Sequence, residues 1–364
     1  MSMSVECTDF LTSRRDLRHT EWRTTPLSPL EGGQVRVKID RFALTSNNIT
    51  YAALGERVRY WDFFPGPTGF GRMPVWGFAD VAESRVEGLA PGERLFGFLP
   101  ISTDLILTVG DLSASAFTDA SPWRCGLAGA YNRYHRVAGQ PSFAPEFEAK
   151  QAIFRPLFRT SFLLEAFLND NAFFGAKSVL ISSASSKTSL GLGYLLASAG
   201  GKNIHTIGLT SRANAAFVSQ TGYFDQVVVY EDIGQMEKTP SVFVDMAGDQ
   251  GVRTAVHERF GELLKYSSAV GATHWENPGG AHGLQGPKPV AFLGFEQIAG
   301  LHAKWGADGF DQRVATALSG FLDSATAWLQ ICEHRGRNSI ETLYHDVLAG
   351  RVDACSARMA SIRD

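Results

Sequence analysis

A run of hydroxyl and amine side chains follows the apolar stretch Val179-Leu180-Ile181, and residues 183–189 read Ser-Ala-Ser-Ser-Lys-Thr-Ser. Serine and threonine hydroxyls and a lysine ammonium donate hydrogen bonds to phosphate oxygens. The stretch therefore contains four candidate phosphate ligands: Ser185, Ser186, Lys187 and Thr188. The alternative is a polar helix N-cap turn that binds no ligand. A nucleoside-triphosphate loop is disfavoured, because the leading glycine and the glycine before the lysine of that motif are both missing.

A second group of donors ends the next apolar run, which reads Gly208-Leu209-Thr210-Ser211-Arg212. In dinucleotide-binding folds an Asp or Glu near this point binds the ribose 2′-hydroxyl of NAD. The run contains no acid, whereas hydroxyls with a guanidinium suit a 2′-phosphate. If a dinucleotide binds, Ser211 and Arg212 favour NADP over NAD. The alternative is that Arg212 is a solvated charge at the start of the next helix.

Composition and charge narrow the class of protein. The chain has 364 residues, which favours two domains at about 100–200 residues each. Hydrophobic residues make up 44% and charged residues 20%, which is typical of globular proteins and excludes a disordered or fibrous chain. The net charge of −3 argues against a nucleic-acid partner. No apolar run approaches the ~18–20 residues of a membrane helix, so we expect no membrane partner.

The start of the chain has no basic segment followed by an apolar one, so no secretory signal is visible. The cysteines lie far apart, which excludes both a close-spaced zinc set and a dense disulfide framework; they are Cys7, Cys125, Cys332 and Cys355. We therefore expect a cytoplasmic protein with reduced thiols.

The elements that must position these residues fall into two parts. The first 110 residues predict a β-rich region, and residues 34–40 alternate apolar and polar as a half-buried strand does. From about 165 to 295, short apolar runs alternate with helical segments. Such alternation is typical of α/β folds with a doubly wound parallel sheet. After a Gly- and Pro-rich loop over 271–289, residues 314–329 show the period of a helix.

Several motifs resemble the medium-chain dehydrogenase/reductase superfamily, whose members place a β-rich domain before a doubly wound one. The turn Gly92-Glu93-Arg94-Leu95-Phe96-Gly97 is similar to its Gly-Asp-Arg-Val-x-Gly, and residues 74–81 are similar to the segment that precedes that turn. Residues 46–55 resemble the Asn-x-x-Asp-x-Tyr-x-x-x-Gly stretch of quinone oxidoreductases. Residues 224–230 and 244–248 resemble later strand ends of the nucleotide domain. The chain resembles a divergent branch of this superfamily.

The resemblance implies an α/β fold with a β-rich GroES-like N-terminal domain over 1–150 and a Rossmann nucleotide-binding domain over 151–300. It also implies C-terminal helices over 301–364 that return at least partly to the catalytic domain. Gly77-Phe78-Ala79 stands where zinc-dependent members have Gly-His-Glu, so we expect no metal and a zinc-independent mechanism. The metal ligands that could be imagined in the loop, His274, Glu276 and His282, are disfavoured, because loop spacing alone is poor evidence.

The resemblance also implies a chemical site. Tyr51 matches the tyrosine of the quinone-oxidoreductase stretch and would act as a neutral donor to a substrate oxygen, because a tyrosine hydroxyl ordinarily titrates near pH ~10. Asn47 and Asn48 could orient the substrate, and Tyr60 could wall an apolar pocket. The alternative for each is a structural role. On the cofactor side, Tyr230 would flank the adenine or reach the 2′-phosphate, and Phe292 would approach the nicotinamide.

The sequence therefore predicts an NADPH-dependent, zinc-independent reductase that acts on an activated C=C or C=O bond in an apolar small molecule. Two alternatives remain open: a non-redox lyase or isomerase on the same fold, and a dinucleotide-binding module without turnover. The resemblance also allows a homodimer.

Overall fold

The computed structural model describes residues 5–138, 140, 143, 145–198, 204–271 and 283–363. The chain divides into two compact units. The first unit is Met1–Ile153 together with Gln330–Asp364, and the second unit is Phe154–Leu329.

Strands and helices follow in this order along the described residues. The strands are β1 (Glu6–Ser13), β2 (Thr20–Pro26), β3 (Gln34–Ala43), β4 (Phe70–Arg72), β5 (Pro74–Ser84), β6 (Arg94–Pro100), β7 (Asp104–Gly110), β8 (Ala116–Asp119), β9 (Arg133–Arg136), β10 (Ser178–Ile181), β11 (His205–Thr210), β12 (Gln226–Val229), β13 (Ser241–Asp245), β14 (Leu264–Ala269), β15 (Val290–Ala291), β16 (Gln330–Arg335) and β17 (Ser356–Ser361). The helices are α1 (Ser46–Ala53), α2 (Glu148–Asp170), α3 (Lys187–Ser198), α4 (Ala215–Thr221), α5 (Gln250–Phe260), α6 (Gly294–Trp305), α7 (Ala307–Ala325) and α8 (Arg337–Leu348).

The first unit is β-rich, as its alternating sequence predicts, and its described strands pair antiparallel except β16 with β17. A three-stranded sheet has the order β2-β1-β4, and an eight-stranded sheet has the order β16-β17-β3-β5-β6-β9-β8-β7. Because β7 also pairs with β3, the strands from β3 to β7 close on themselves. In β3 the side chains of Val35, Val37 and Ile39 are buried and that of Lys38 is exposed. This alternation places one face of the strand in the core.

The C-terminal tail differs from the predicted helices over 301–364. Residues 301–329 belong to the second unit, where α7 ends at Ala325. From Gln330 onward the chain adds two strands and one helix to the first unit. Strand β17 pairs antiparallel with β3 through Met359 and Ala360, and β16 lies parallel to β17 at the edge of the sheet. The helical prediction is wrong for β16 and β17, because the pairing of β17 with β3 and of β16 with β17 decides their conformation rather than local periodicity.

The second unit confirms the predicted doubly wound parallel sheet. Its order is β12-β11-β10-β13-β14-β15, and every pair is parallel. All four residues of β10 are buried. Leu180 belongs to one apolar cluster, whereas Val179 and Ile181 belong to another, as expected for a strand with neighbours on both faces. The chain order reverses between β10 and β13, and ligands of such sheets bind outside the carboxyl ends of the strands at that point.

None of the helices in the described part of the chain is long and apolar enough to cross a membrane.

Candidate functional site

The turn between β10 and α3 carries the predicted phosphate ligands. Helix α3 begins at Lys187, so Ser186 stands at its N-cap. The Ser189 backbone N–H donates to Ser186 Oγ at 3.2 Å, and Ser186 Oγ donates to Ser189 Oγ at 2.9 Å. The buried Ser189 hydroxyl in turn donates to the Ser182 carbonyl at 3.1 Å. The two serines that replace the glycines of the dinucleotide fingerprint therefore cap the helix, while Ser185 and Thr188 are half-buried at the same turn.

The same turn contacts the ends of two neighbouring strands. The Ser183 residue adopts a left-handed conformation with φ +49°, and its backbone N–H donates to the Tyr230 hydroxyl at 3.0 Å. The Asn214 side-chain amide donates to Ser185 Oγ at 3.1 Å. Burial raises the pKa of Tyr230 to about 12, with the Ser183 hydrogen bond opposing the rise, so this phenol is neutral. The structure thus brings Tyr230 to the turn and adds Asn214, which sequence reasoning missed.

A buried ionic network holds the ends of β10 and β13 together beside the turn. Ser182 Oγ donates to Asp245 Oδ1 at 2.9 Å. The Arg253 guanidinium binds Asp245 Oδ2 through Nε at 2.9 Å and Nη2 at 2.7 Å. Ser182 Oγ also accepts the backbone N–H groups of Met246 and Ala247 at 2.9 Å and 3.1 Å. Sequence reasoning missed this network, because its members are distant in the chain; the one available signal was Asp245 at a predicted strand end.

The two predicted cationic ligands lie in different surroundings. Arg212 Nη2 is 3.8 Å from Glu231 Oε2, and both side chains are exposed, at 70% and 60%. Ser211 immediately precedes Arg212, which begins a 3-10 turn. Lys187 Nζ lies 5.8 Å from the ring centroid of Trp328. An exposed guanidinium beside one exposed carboxylate is free to exchange that partner for an anionic ligand at small cost.

Phe292 packs on α2 rather than on the turn. Its backbone N–H donates to the Ala269 carbonyl at 2.8 Å, which continues the pairing of β14 and β15. Its ring centroid is 5.8 Å from that of Phe167. This position is at the carboxyl end of β15, and the predicted approach to a nicotinamide stays a prediction.

The first unit contains a cluster of phenol and indole groups around Tyr51, which we call the tyrosine cluster: Tyr51, Tyr60, Trp76 and Tyr131. The Trp76 Nε1–H group donates to the Tyr51 hydroxyl at 3.2 Å, and the Tyr60 and Tyr131 hydroxyl oxygens are 3.0 Å apart. The Tyr51 ring centroid is 4.7 Å from that of Tyr60 and 6.0 Å from that of Tyr131. Aromatic rings surround the hydroxyls, with Phe98 packed edge-on against Tyr51 at 5.4 Å.

Burial keeps the hydroxyls of this cluster protonated. It raises the pKa of Tyr51 well above its usual value, and hydrogen bonds from Trp76, Asn47 and Tyr131 only partly oppose the rise. It raises the pKa of Tyr60 as well, and the pKa of Tyr131 rises further through its two phenol neighbours. The cluster therefore offers neutral hydrogen-bond donors inside an aromatic wall. Sequence reasoning named Tyr51, Tyr60 and Asn47 as candidates, which stay predictions, and did not name Trp76 or Tyr131.

Asn48 has a structural role instead of the predicted substrate-orienting one. Its Oδ1 atom accepts the Thr45 backbone N–H at 2.7 Å and the Thr45 hydroxyl at 3.1 Å. Its Nδ2 atom donates to the Pro74 carbonyl at 2.9 Å, and the side chain is buried. Asn48 thus caps α1 and ties it to β5, which positions Tyr51 on that helix.

The segment that the resemblance aligns with a Gly-His-Glu zinc motif is apolar. The segment Gly77-Phe78-Ala79 lies within β5 and is buried. Among the residues that the structure describes, no three His, Cys, Asp or Glu side chains group as a metal site. The candidate ligands His274, Glu276 and His282 lie outside the described residues.

The β-rich first unit and the parallel sheet of the second unit give the chain the predicted α/β fold class. Solved structures with this fold align over nearly the full chain, and one is CurA from Vibrio vulnificus in complex with NADPH, at 12% identity and a TM-score of 0.64 over 98% of this chain and 99% of that chain. A quinone oxidoreductase from Coxiella burnetii is 14% identical, with a TM-score of 0.53 over 99% of this chain and 100% of that chain. The yhdH oxidoreductase from Salmonella enterica in complex with NADP is 12% identical, with a TM-score of 0.54 over 99% of this chain and 100% of that chain. They confirm the predicted fold class.

The chain belongs to the family described as "Protein of unknown function (DUF2855)", whose model matches residues 42–353. No curated protein sequence matches the chain.

Proposed function

We propose that the protein is an NADPH-dependent, zinc-independent reductase of an activated C=C or C=O bond in an apolar small molecule. The observation that carries the proposal is the tyrosine cluster, in which a neutral, hydrogen-bonded Tyr51 hydroxyl lies inside an aromatic wall. The similarity in fold to oxidoreductases solved with NADPH or NADP supports the choice of cofactor.

The second unit has a donor set that fits the phosphates of a dinucleotide. Ser185, Lys187 and Thr188 follow the carboxyl end of β10, in the turn and at the N-terminus of α3. Helix N-termini favour anions at this place in the fold. Serines at the two glycine positions of the dinucleotide fingerprint are compatible with phosphate binding, because the Ser189 hydroxyl donates its hydrogen bond to the Ser182 carbonyl.

Ser211 and Arg212 supply the donors for a 2′-phosphate. The 3.8 Å pair of the Arg212 guanidinium with Glu231, the residue that follows Tyr230 after strand β12, supports an anion-binding role for Arg212. When bound, NADPH supplies a hydride to the electrophilic carbon of the substrate.

Tyr51 would act on the substrate oxygen. Hydride addition places negative charge on that oxygen, and a hydrogen-bond donor held inside a low-dielectric site stabilises this charge. The Tyr51 hydroxyl can donate because burial raises its pKa and keeps it protonated. The aromatic rings of Tyr60 and Phe98 favour an apolar substrate body beside the hydroxyl.

The test is NADPH consumption with neutral probes, cyclohex-2-enone and 1,4-benzoquinone, in the wild type and in Tyr51→Phe. General-acid or hydrogen-bond catalysis contributes about 100-fold or more, so Tyr51→Phe should lower kcat by about that factor. The matched control is Tyr134→Phe, because Tyr134 is also buried and its hydroxyl donates to the Phe98 carbonyl at 2.7 Å. Equal rates for wild type and Tyr51→Phe, or no NADPH consumption above a no-enzyme blank, would overturn the proposal.

A further inference from the structure

An indole N–H can donate a hydrogen bond but cannot accept one. The 3.2 Å contact from Trp76 Nε1 to the Tyr51 hydroxyl therefore has a fixed direction, in which the Tyr51 oxygen accepts. One lone pair of that oxygen is occupied, and its hydrogen must point to another acceptor. We propose that Trp76 is a positioning residue that holds the Tyr51 hydroxyl as a donor toward the substrate oxygen, which rests on the proposed function.

Trp76 is well placed to impose this direction, because its backbone is fixed on both sides. It lies in β5, where it pairs with Ala43 of β3 and Phe98 of β6. Next to it, a Cβ on Gly77 would lie 2.3 Å from the Arg41 carbonyl oxygen, so β5 approaches β3 as closely as a glycine allows.

Packing also fixes the indole ring. Its centroid is 5.7 Å from that of Phe96 in a stacked arrangement, and 5.2 Å from that of Phe98. The N–H group is thus held in one orientation before any substrate binds, and the Tyr51 hydroxyl has to adapt to it.

Without this N–H, the Tyr51 hydroxyl would have competing orientations inside the cluster. The ring centroids of Tyr60 and Tyr131 lie 4.7 Å and 6.0 Å from that of Tyr51, and the Tyr60 and Tyr131 hydroxyls already bond each other. A Tyr51 hydrogen directed at one of these neighbours is not available to the substrate oxygen. Losing one neutral hydrogen bond should therefore reduce the donating population, and with it kcat, by about fivefold to tenfold.

The first test measures the hydrogen bond from Trp76 to the Tyr51 hydroxyl directly and requires no turnover. The chain has seven tryptophans, so ¹⁵N-labelled indole groups give a countable set of NMR signals, and Trp76→Phe assigns the one from Trp76. In Tyr51→Phe this signal should shift and its hydrogen should exchange faster with solvent, whereas in Tyr134→Phe it should stay unchanged. A Trp76 signal that is the same in wild type and Tyr51→Phe would overturn the inference.

The second test measures kcat and KM of Trp76→Phe with cyclohex-2-enone or 1,4-benzoquinone as the substrate probe. Trp76→Phe should lower kcat by about fivefold to tenfold while KM changes by less than about twofold, because the aromatic wall is kept. The matched control is Trp22→Phe, which removes an indole N–H that donates to Glu341 Oε2 at 3.3 Å elsewhere in the first unit; its kcat should equal that of the wild type.

A double-mutant cycle separates positioning from packing. In the Tyr51→Phe background, Trp76→Phe should cause no further loss, since no hydroxyl remains to be oriented. An equal loss in both backgrounds, or a loss no larger than that of Trp22→Phe, would overturn the inference while the proposed function stands. A wild type that consumes no NADPH would instead overturn the proposed function, and the role of Trp76 toward a substrate with it.

Discussion

Replacing Ser182 by alanine tests whether the buried network beside the β10–α3 turn holds the second unit together. The Ser182 hydroxyl is fully buried, donates to the Asp245 carboxylate and accepts two backbone N–H groups. Alanine fills nearly the same space, so the substitution removes hydrogen bonds and creates almost no cavity.

The expected cost follows from these three bonds. A hydrogen bond to a charged group contributes about 1.5–3 kcal/mol, the buried Met246 N–H left without its bond costs about 1–3 kcal/mol, and the bond of the Ala247 N–H contributes about 0.5–1.5 kcal/mol. Asp245 keeps the Arg253 guanidinium and the Gly248 N–H at 3.0 Å, which favours the lower end of each range. We expect Ser182→Ala to lower the free energy of unfolding of the second unit by about 3–4 kcal/mol.

Peptide-resolved hydrogen exchange under native conditions is the appropriate assay, because it reports the opening free energy of the second unit separately from the first. The amides of β10 and β13 should lose protection together in Ser182→Ala. Ser241→Ala is the matched control: Ser241 is equally buried in the same sheet, but its hydroxyl makes one bond, to the Thr239 carbonyl at 2.8 Å. Its cost should be about 1 kcal/mol. A loss in Ser182→Ala no larger than in Ser241→Ala would refute the reasoning.

Two further predictions concern cofactor choice and pH. Glu231→Gln should tighten NADPH binding by up to about fivefold, because an exposed ion pair such as Glu231–Arg212 contributes at most about 1 kcal/mol. Arg212→Gln should remove the preference for NADPH over NADH. Calorimetric titration of each variant with NADPH and with NADH measures both effects. His257 is buried, with Nδ1 2.8 Å from the Gln285 carbonyl and Nε2 3.0 Å from Ser267 Oγ, and burial lowers its pKa. As the pH falls, His257 therefore takes up its proton at a higher pH in the unfolded chain than in the folded chain. The free energy of unfolding should fall as the pH drops below about 6.5. His257→Gln should flatten that slope in denaturation curves measured between about pH 7 and pH 5.

Local pattern was sufficient to predict much of the second unit. Each strand from β10 to β14 is a short apolar run between helical segments, so type and order could be read directly. The hydroxyl-rich turn also follows from position, because a polar stretch after the first strand must lie at its carboxyl end. In the first unit, Tyr51 came from the resemblance and not from spacing.

The remaining features depend on contacts between distant residues. Strand β16 is polar and lies at a sheet edge, so no period in the sequence separates it from helix. Tyr131 lies in a stretch without a clear period, and only the fold brings it to Tyr60. The bond between Ser182 and Asp245 spans 63 residues of chain, and Arg253 lies 8 residues beyond Asp245. The cytoplasmic location and the homodimer stay predictions.

The most direct measurement is thermal unfolding of the purified chain during titration with NADPH and, separately, with NADH. A ligand at 100 times its dissociation constant adds about 2.7 kcal/mol of stability, which is enough to raise Tm by a few degrees. We expect stabilisation by NADPH at concentrations where NADH has little effect, and a loss of this difference in Arg212→Gln. No shift with either cofactor would contradict the proposed reductase.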